Sequence, residues 1–135
     1  MNNLECSSKG DKRFSAFYAN VEAFGVYQSI ENHYQDCKYK DSGSKCKKGE
    51  KVDYIKLGGR KLKPKYLTPY YKMLWIKYFD NNPELLEYVK DFDSFSDMFK
   101  GKSINCQADV ISELVKSGRE YVLKDCKELI NILND

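Results

Sequence analysis

YQSIENHYQDCKY, residues 27–39, is the stretch from which the rest of the chain is read. Ser29 is a good N-cap, Asn32 stands three residues on where a capping box places Glu or Gln, and Ile30, His33, Tyr34 and Cys37 recur at helical spacing. The pattern predicts a short amphipathic helix. Glu31 falls in its first turn, where the helix dipole and the first backbone N–H groups favour a carboxylate. Lys38 lies seven residues further, on the same face and ~10 Å along the axis. A carboxylate and an ammonium at that separation can address two ends of one ligand. Equally, Glu31 can complement the dipole while Lys38 points into water.

Upstream, residues 1–12 are polar and expected to be mobile. RFSAFYANVEAFG, residues 13–25, alternates in part and closes on Gly25, which predicts a buried strand and a turn. Downstream, KDSGSKCKKGEKVD, residues 40–53, reads as a loop whose lysines either grip phosphate or form a solvated face. A short helix is expected from Asp53 to Leu57, followed by GGRK, where the glycines allow a helix C-terminus or a close backbone approach and Arg60 stands ready for an anion. Pro64 and Pro69 bracket an extended connector containing Tyr66. Thr68 as N-cap and Pro69 at the first position begin a helix to about Asp80, with Tyr71, Leu74, Trp75 and Tyr78 as a core-packing stripe.

Asn82, Pro83 and Glu84 start a third helix with Leu85, Leu86 and Val89 inward. Residues 91–107 break periodicity, and there Phe95 and Phe99 flank Asp97. Apolar surroundings disfavour a charged carboxylate, which is one route to acid–base chemistry; capping the next element is the plainer role. Gln107 to Ser117 form a helix ending at Gly118. The last amphipathic helix, within REYVLKDCKELINILND, covers the core or pairs two chains.

The 135 residues, 41% of them apolar, suit one α+β domain, mostly helical with a small sheet and a cleft between sheet and helices. Eleven Tyr, seven Phe and one Trp suit both a core and a wet cleft. A net charge of +3 is too balanced to argue for nucleic-acid binding by field alone. No apolar run is long enough for a membrane span and the N-terminus lacks a signal-peptide core, so a soluble, cytoplasmic protein with no membrane partner is expected. Five cysteines, odd in number and without a C-x-x-C pair, read as reduced thiols. His33, Cys37 and Cys46 suggest zinc, but no fourth ligand is evident. The single histidine leaves little room for Ser–His or Cys–His schemes unless His33 is the base.

The order of motifs resembles the NADAR superfamily, the fold of the YbiA-like N-glycosidases. The resemblance is carried by FSAFY (14–18), YQSIENHYQDCKY (27–39), KLGGRKLKPKY (56–66), WIKYFDNNPEL (75–85) and, more loosely, DSFSDMFKGKSIN (93–105). It implies cleavage of N-glycosidic bonds in phosphorylated ribosides, whether riboflavin-pathway intermediates or ADP-ribose attached to guanine. Glu31 then falls on the catalytic Glu and Asp97 on the Asp near the C-terminal glycine loop. Lys38, Arg60 and Asn105 fall on binding positions, Tyr66 is the aromatic nearest the site Trp, and Phe17 of FSAFY joins the substrate-binding set. Ala16 stands where the family usually has Asn, Phe99 replaces a Trp, and Gln107 stands near an expected Gly.

In the scheme that follows, Glu31 stabilises positive charge at C1 of the ribose or orients water, and Asp97 positions water or protonates the leaving base. Lys38 and Arg60 hold phosphate, Tyr66 stacks on the base, and no metal or cofactor is needed. A non-catalytic pocket that sequesters or senses an ADP-ribose-like ligand, in a phage–host setting, is the alternative. A nucleic-acid partner for the 38–51 lysines and a homo-oligomer stay open.

Overall fold

A computed structural model describes residues 2–97 and 106–134. Among these, five helices and three small sheets form an α+β fold. The centre is α2, Leu67–Asn81. Its sequence is apolar on nearly every side, the signature of a helix surrounded by other elements. Tyr70, Tyr71, Leu74, Trp75, Ile76, Tyr78 and Phe79 are all buried, and Trp75 is completely so. Truncating such a ring leaves a cavity worth ~3–5 kcal/mol. Against α2 pack α1 (Ile30–Asp36), α3 (Pro83–Val89), α4 (Gln107–Ser117) and α5 (Arg119–Leu133). Gly118, at φ 91°, makes the break between α4 and α5 that the sequence predicts.

The N-terminal segment, expected to be mobile, instead supplies β1 (Asn3–Glu5), parallel to β7 (Ser94–Ser96). Leu4 and Cys6 are buried, which anchors this otherwise polar stretch. The strand expected over 13–25 is confined to β2, Asn20–Ala23. Before it, the Ser15 carbonyl accepts from the N–H groups of both Tyr18 (3.0 Å) and Ala19 (2.8 Å), so FSAFY is a folded turn. β2 pairs antiparallel with β3, Val26–Ser29, through a two-residue turn in which Phe24 and Gly25 both have positive φ.

Two corrections concern the third sheet. Lys38 is not on the helix: α1 ends at Asp36, Cys37 caps it, and Lys38–Tyr39 form β4. Residues Tyr54–Leu57 are β5 rather than a helical turn, paired with β4 on one side and with β6 (Arg60–Leu62) on the other. A five-residue helix forms too few bonds to repay nucleation, whereas Gly58–Gly59, both at positive φ, make the tight hairpin turn that joins two strands. Gly58 also admits the Phe24 ring, since a Cβ there would lie 2.9 Å from Cδ1 of that ring. The hairpin of β2–β3 thus rests its tip on the hairpin of β5–β6. The connector at Pro64–Tyr66 is a 3-10 turn running directly into α2, not an extended segment, and Thr68 lies inside the helix it was expected to cap.

Register assigns the faces of β4–β5–β6. Ile55 and Leu57 are buried on the inner face, and their partners Lys38, Leu62 and Arg60 share it. Tyr39, Tyr54, Lys56 and Lys61 share the outer face.

Candidate active site around Glu31

Ser29 caps α1 as its sequence requires, its hydroxyl accepting from the Asn32 N–H at 3.1 Å. That fixes Glu31 in the first turn. The start of the helix is tied to the FSAFY turn: the Ala19 carbonyl accepts from the Ile30 N–H and the Ala16 carbonyl from the Glu31 N–H, each at 2.9 Å. Ala16 is in turn held by Gln107 at the start of α4, whose Oε1 accepts the Ala16 N–H at 2.5 Å. The Glu31 carboxylate receives the amide of Gln35, one helical turn on, at 2.8 Å. Its backbone and its side chain are both positioned.

Lys38 stands close to that carboxylate. Its ammonium lies 3.9 Å from the centroid of the Tyr34 ring. Burial holds its pKa below the ordinary 10.5, and the nearby Cys37 and Glu31 oppose that shift. Tyr34 meets Tyr71 of α2 edge to face, with 5.1 Å between centroids. Tyr71 lies within electrostatic reach of both carboxylates. Burial pushes its hydroxyl well above the ordinary phenol range, the Trp75 indole eases the shift, and the charges of Glu31, Cys106 and Asp97 add to it. Asp97, at the end of β7, is itself buried and accepts the Cys106 thiol at 3.5 Å. Burial, with the charge of Asp97 contributing, raises that thiol to about 11.

Among the sequence-predicted residues, Lys38 lies over the Tyr34 ring, and Glu31 and Asp97 both act electrostatically on Tyr71. Phe17 follows Ala16 directly and is 41% exposed, an aromatic ring on the turn that holds Glu31. Arg60 shares the inner face of the sheet with Lys38, two strands away and two residues out of register, ~12 Å between backbones. Tyr66 is directed elsewhere: its hydroxyl donates to Glu128 of α5 at 2.6 Å and its ring is buried. Asn105 and Phe99 lie outside the described residues.

His33 is committed to the fold. A backbone carbonyl only accepts, so the 2.8 Å contact from Nε2 to the Val21 carbonyl places the proton on Nε2, and Nδ1 accepts from Gln28 at 3.2 Å. The Cys37 thiol donates to the Tyr34 carbonyl at 3.2 Å. Neither group is presented to a metal. Two cavities of about 210 and 250 Å³ lie on either side of Phe24, away from Glu31.

Sequence reasoning missed Gln35, Tyr34, Tyr71 and Cys106. Gln35 and Tyr34 stand four and three residues from Glu31, the spacing at which helical side chains meet, so that signal was present. Tyr71 is indistinguishable by spacing from its core neighbours on α2.

A family model described as "DarT1-associated NADAR antitoxin" matches residues 1–133. No curated protein matches the chain.

Proposed function

Because the chain belongs to the family of DarT1-associated NADAR antitoxins, we propose that it acts as an antitoxin by hydrolysing the N-ribosyl bond of a phosphorylated nucleoside-like substrate, an ADP-ribose conjugate of a base first among them. The observation that carries this reading is the setting of Glu31. It is an oriented carboxylate within electrostatic reach of the partly desolvated ammonium of Lys38 and of Tyr71, whose hydroxyl also feels a second, buried carboxylate, Asp97.

Breaking the bond from C1 to the base nitrogen leaves positive charge on C1 and the ring oxygen. Glu31 stabilises that charge from beneath the sugar, and water adds its oxygen to C1. The water gives up a proton to a carboxylate, and the leaving nitrogen takes one up, with Asp97 as the donor. Lys38 holds a phosphate as a point charge and Arg60 as a fork of donors. Phe17 offers a ring for stacking on the base, and Asn105 hydrogen-bonds the sugar or phosphate; Tyr66, held by Glu128, takes no part. No cofactor enters the scheme.

A second reading has its own support. Ala16 and Gln107 depart from the family pattern and contact each other directly behind Glu31, which suits a pocket that retains its ligand and has lost turnover. Mass spectrometry after incubation with an isotope-labelled ADP-ribosyl-guanine conjugate separates the two. Free guanine is expected; recovery of intact conjugate bound to the protein establishes the sequestering role instead.

A further inference from the structure

The β2–β3 hairpin turns on Phe24, a bulky residue at φ 53° where such turns normally carry Gly, Asn or Asp. Left-handed backbone at a large side chain costs energy, and outliers of this kind cluster at ligand clamps. Here the strain secures a wall. The Phe24 ring sits against Gly58, where a Cβ would come within 2.9 Å of it, and lies 6.3 Å from the Tyr70 ring at a tilt of 35°. Beside this wall is the cavity of about 250 Å³, lined also by Val26, Gln28, His33, Asp36 and Cys37.

Tyr70 is 3% exposed, and among the described residues its hydroxyl forms no hydrogen bond. The charges of Cys37 and Asp36 act on that hydroxyl. Both residues line this cavity and not the one across Phe24, so the hydroxyl stands on this side. A buried phenol O–H ordinarily has a partner, and here a ligand acceptor can supply it. The other polar groups of the cavity are acceptors. The Gln28 amide nitrogen lies 3.2 Å from Nδ1 of His33 and 3.3 Å from Oδ2 of Asp36, which uses both of its N–H groups. Its carbonyl oxygen remains, together with the Asp36 carboxylate, which forms no ion pair among the described residues. The Cys37 thiol is held by the Tyr34 carbonyl, and the Lys56 ammonium lies over the Tyr39 ring on the outer face of its sheet.

We propose that this cavity binds a planar heterocycle by an amino-lactam edge, the 2-amino-4-oxopyrimidine unit shared by guanine-type purines and pterins. The ligand carbonyl takes the Tyr70 proton, while the ring N–H and the amino group face Asp36 and Gln28. A uracil-type edge would set a second carbonyl against those acceptors. A guanidinium would leave the Tyr70 proton without an acceptor. The volume lies below the ~300–1,000 Å³ of pockets for drug-sized ligands, which suits one or two fused rings without sugar or phosphate. Phe24 and Val26, both half-exposed, supply apolar surface for the flat faces of the ring. The cavity lies away from Glu31, so the proposal stands whether or not hydrolysis takes place there.

The test is titration of the full chain into pterin, followed by the fluorescence of the pterin itself. Saturable binding is expected, displaced by isocytosine, the bare 2-amino-4-oxopyrimidine, and not by uracil at the same concentration. Guanine binding more tightly than pterin identifies a purine as the preferred ligand, and the reverse order identifies a pteridine. Asp36→Asn, an isosteric change at an exposed position, is expected to weaken binding by ~tenfold, and Tyr70→Phe, which removes the hydroxyl alone, by a similar factor. Glu31→Gln is expected to bind pterin as the wild type does, which separates this cavity from the proposed hydrolytic site. Should Tyr70→Phe fail to fold by circular dichroism, Asp36→Asn carries the comparison. Absence of saturable wild-type binding, displacement by uracil equal to that by isocytosine, unchanged affinity in either folded variant, or a loss of pterin binding in Glu31→Gln overturns the proposal.

Discussion

The Ala16 N–H donates to Oε1 of Gln107 at 2.5 Å, joining two positions ninety-one residues apart. Both are buried, and the Ala16 carbonyl holds the N–H of Glu31. Ala16 and Gln107, two of the three positions at which the sequence differs from the pattern it resembles, therefore form one support behind Glu31. Gln107→Leu strands a buried N–H and is expected to cost ~1–3 kcal/mol. Gln107→Glu keeps an acceptor at the same reach and should recover most of the loss. Chemical denaturation of the three proteins checks this; equal midpoints for all three would show the bond to be idle.

Lys38 yields a pH dependence. Its pKa is lowered by burial, so the charged form that binds phosphate is lost as pH rises through a value below the ordinary 10.5. KM for a phosphorylated substrate should rise on the alkaline side while kcat changes less. Lys38→Arg, which stays charged throughout that range, should flatten the rise. A KM profile identical in the two proteins would remove Lys38 from phosphate binding.

The thiols report the fold. Cys6, Cys37, Cys106 and Cys126 are buried, and Cys46 is partly exposed. Burial pushes Cys6 and Cys37 up to about 12, and Cys106 and Cys126 up to about 11. Iodoacetamide at pH 8 should label Cys46 in the native protein and all five thiols in denaturant, read by mass spectrometry. The sign of the linkage also follows. Folded-state values above the unfolded 9.0 mean that the stability carried by these thiols is intact below pH 9 and is lost as pH climbs toward 11 to 12. The melting temperature should fall through that window, and replacing Cys106 by Ala should shallow the fall.

β1 gives a further stability test. Leu4 is 4% exposed although its neighbours are polar. Leu4→Ala should destabilise by ~2–5 kcal/mol. A change within experimental error would mean that the N-terminal segment contributes nothing to the core.

What could be read in the sequence and what could not divide along physical lines. Ser29 and Gly118 are local signals, a side-chain cap and a positive-φ break, and the helices they delimit lie where spacing predicts. The strands were harder because pairing is non-local. Asn3–Glu5 is held by Ser94–Ser96, and nothing within Asn-Leu-Glu announces a partner so distant. The spacing predicts a short helix over Asp53–Leu57, although Tyr54 and Ile55, aromatic and β-branched, ahead of Gly58–Gly59 carry a hairpin signal. Helical spacing predicts Glu31 and Lys38 on one face of one helix, and only Glu31 lies on it. The wrong element was assigned to Lys38, because a helix ending at Asp36 and a strand beginning at Lys38 leave one intervening residue, Cys37, to mark the change. The electrostatic link of Tyr71 to both carboxylates required tertiary packing to be seen.

The most direct test of the proposed chemistry is single-turnover hydrolysis of an ADP-ribosyl-guanine conjugate by the wild type and by Glu31→Gln. The substitution keeps the shape of the side chain and leaves it an oxygen to accept the Gln35 amide, which lies 2.8 Å from the carboxylate. A fold confirmed by circular dichroism with a rate lowered ~100- to 1000-fold is the predicted result, the size expected when a group aimed at developing charge is neutralised. An unchanged rate of guanine release would contradict the role assigned to Glu31 and with it the mechanism built around that residue.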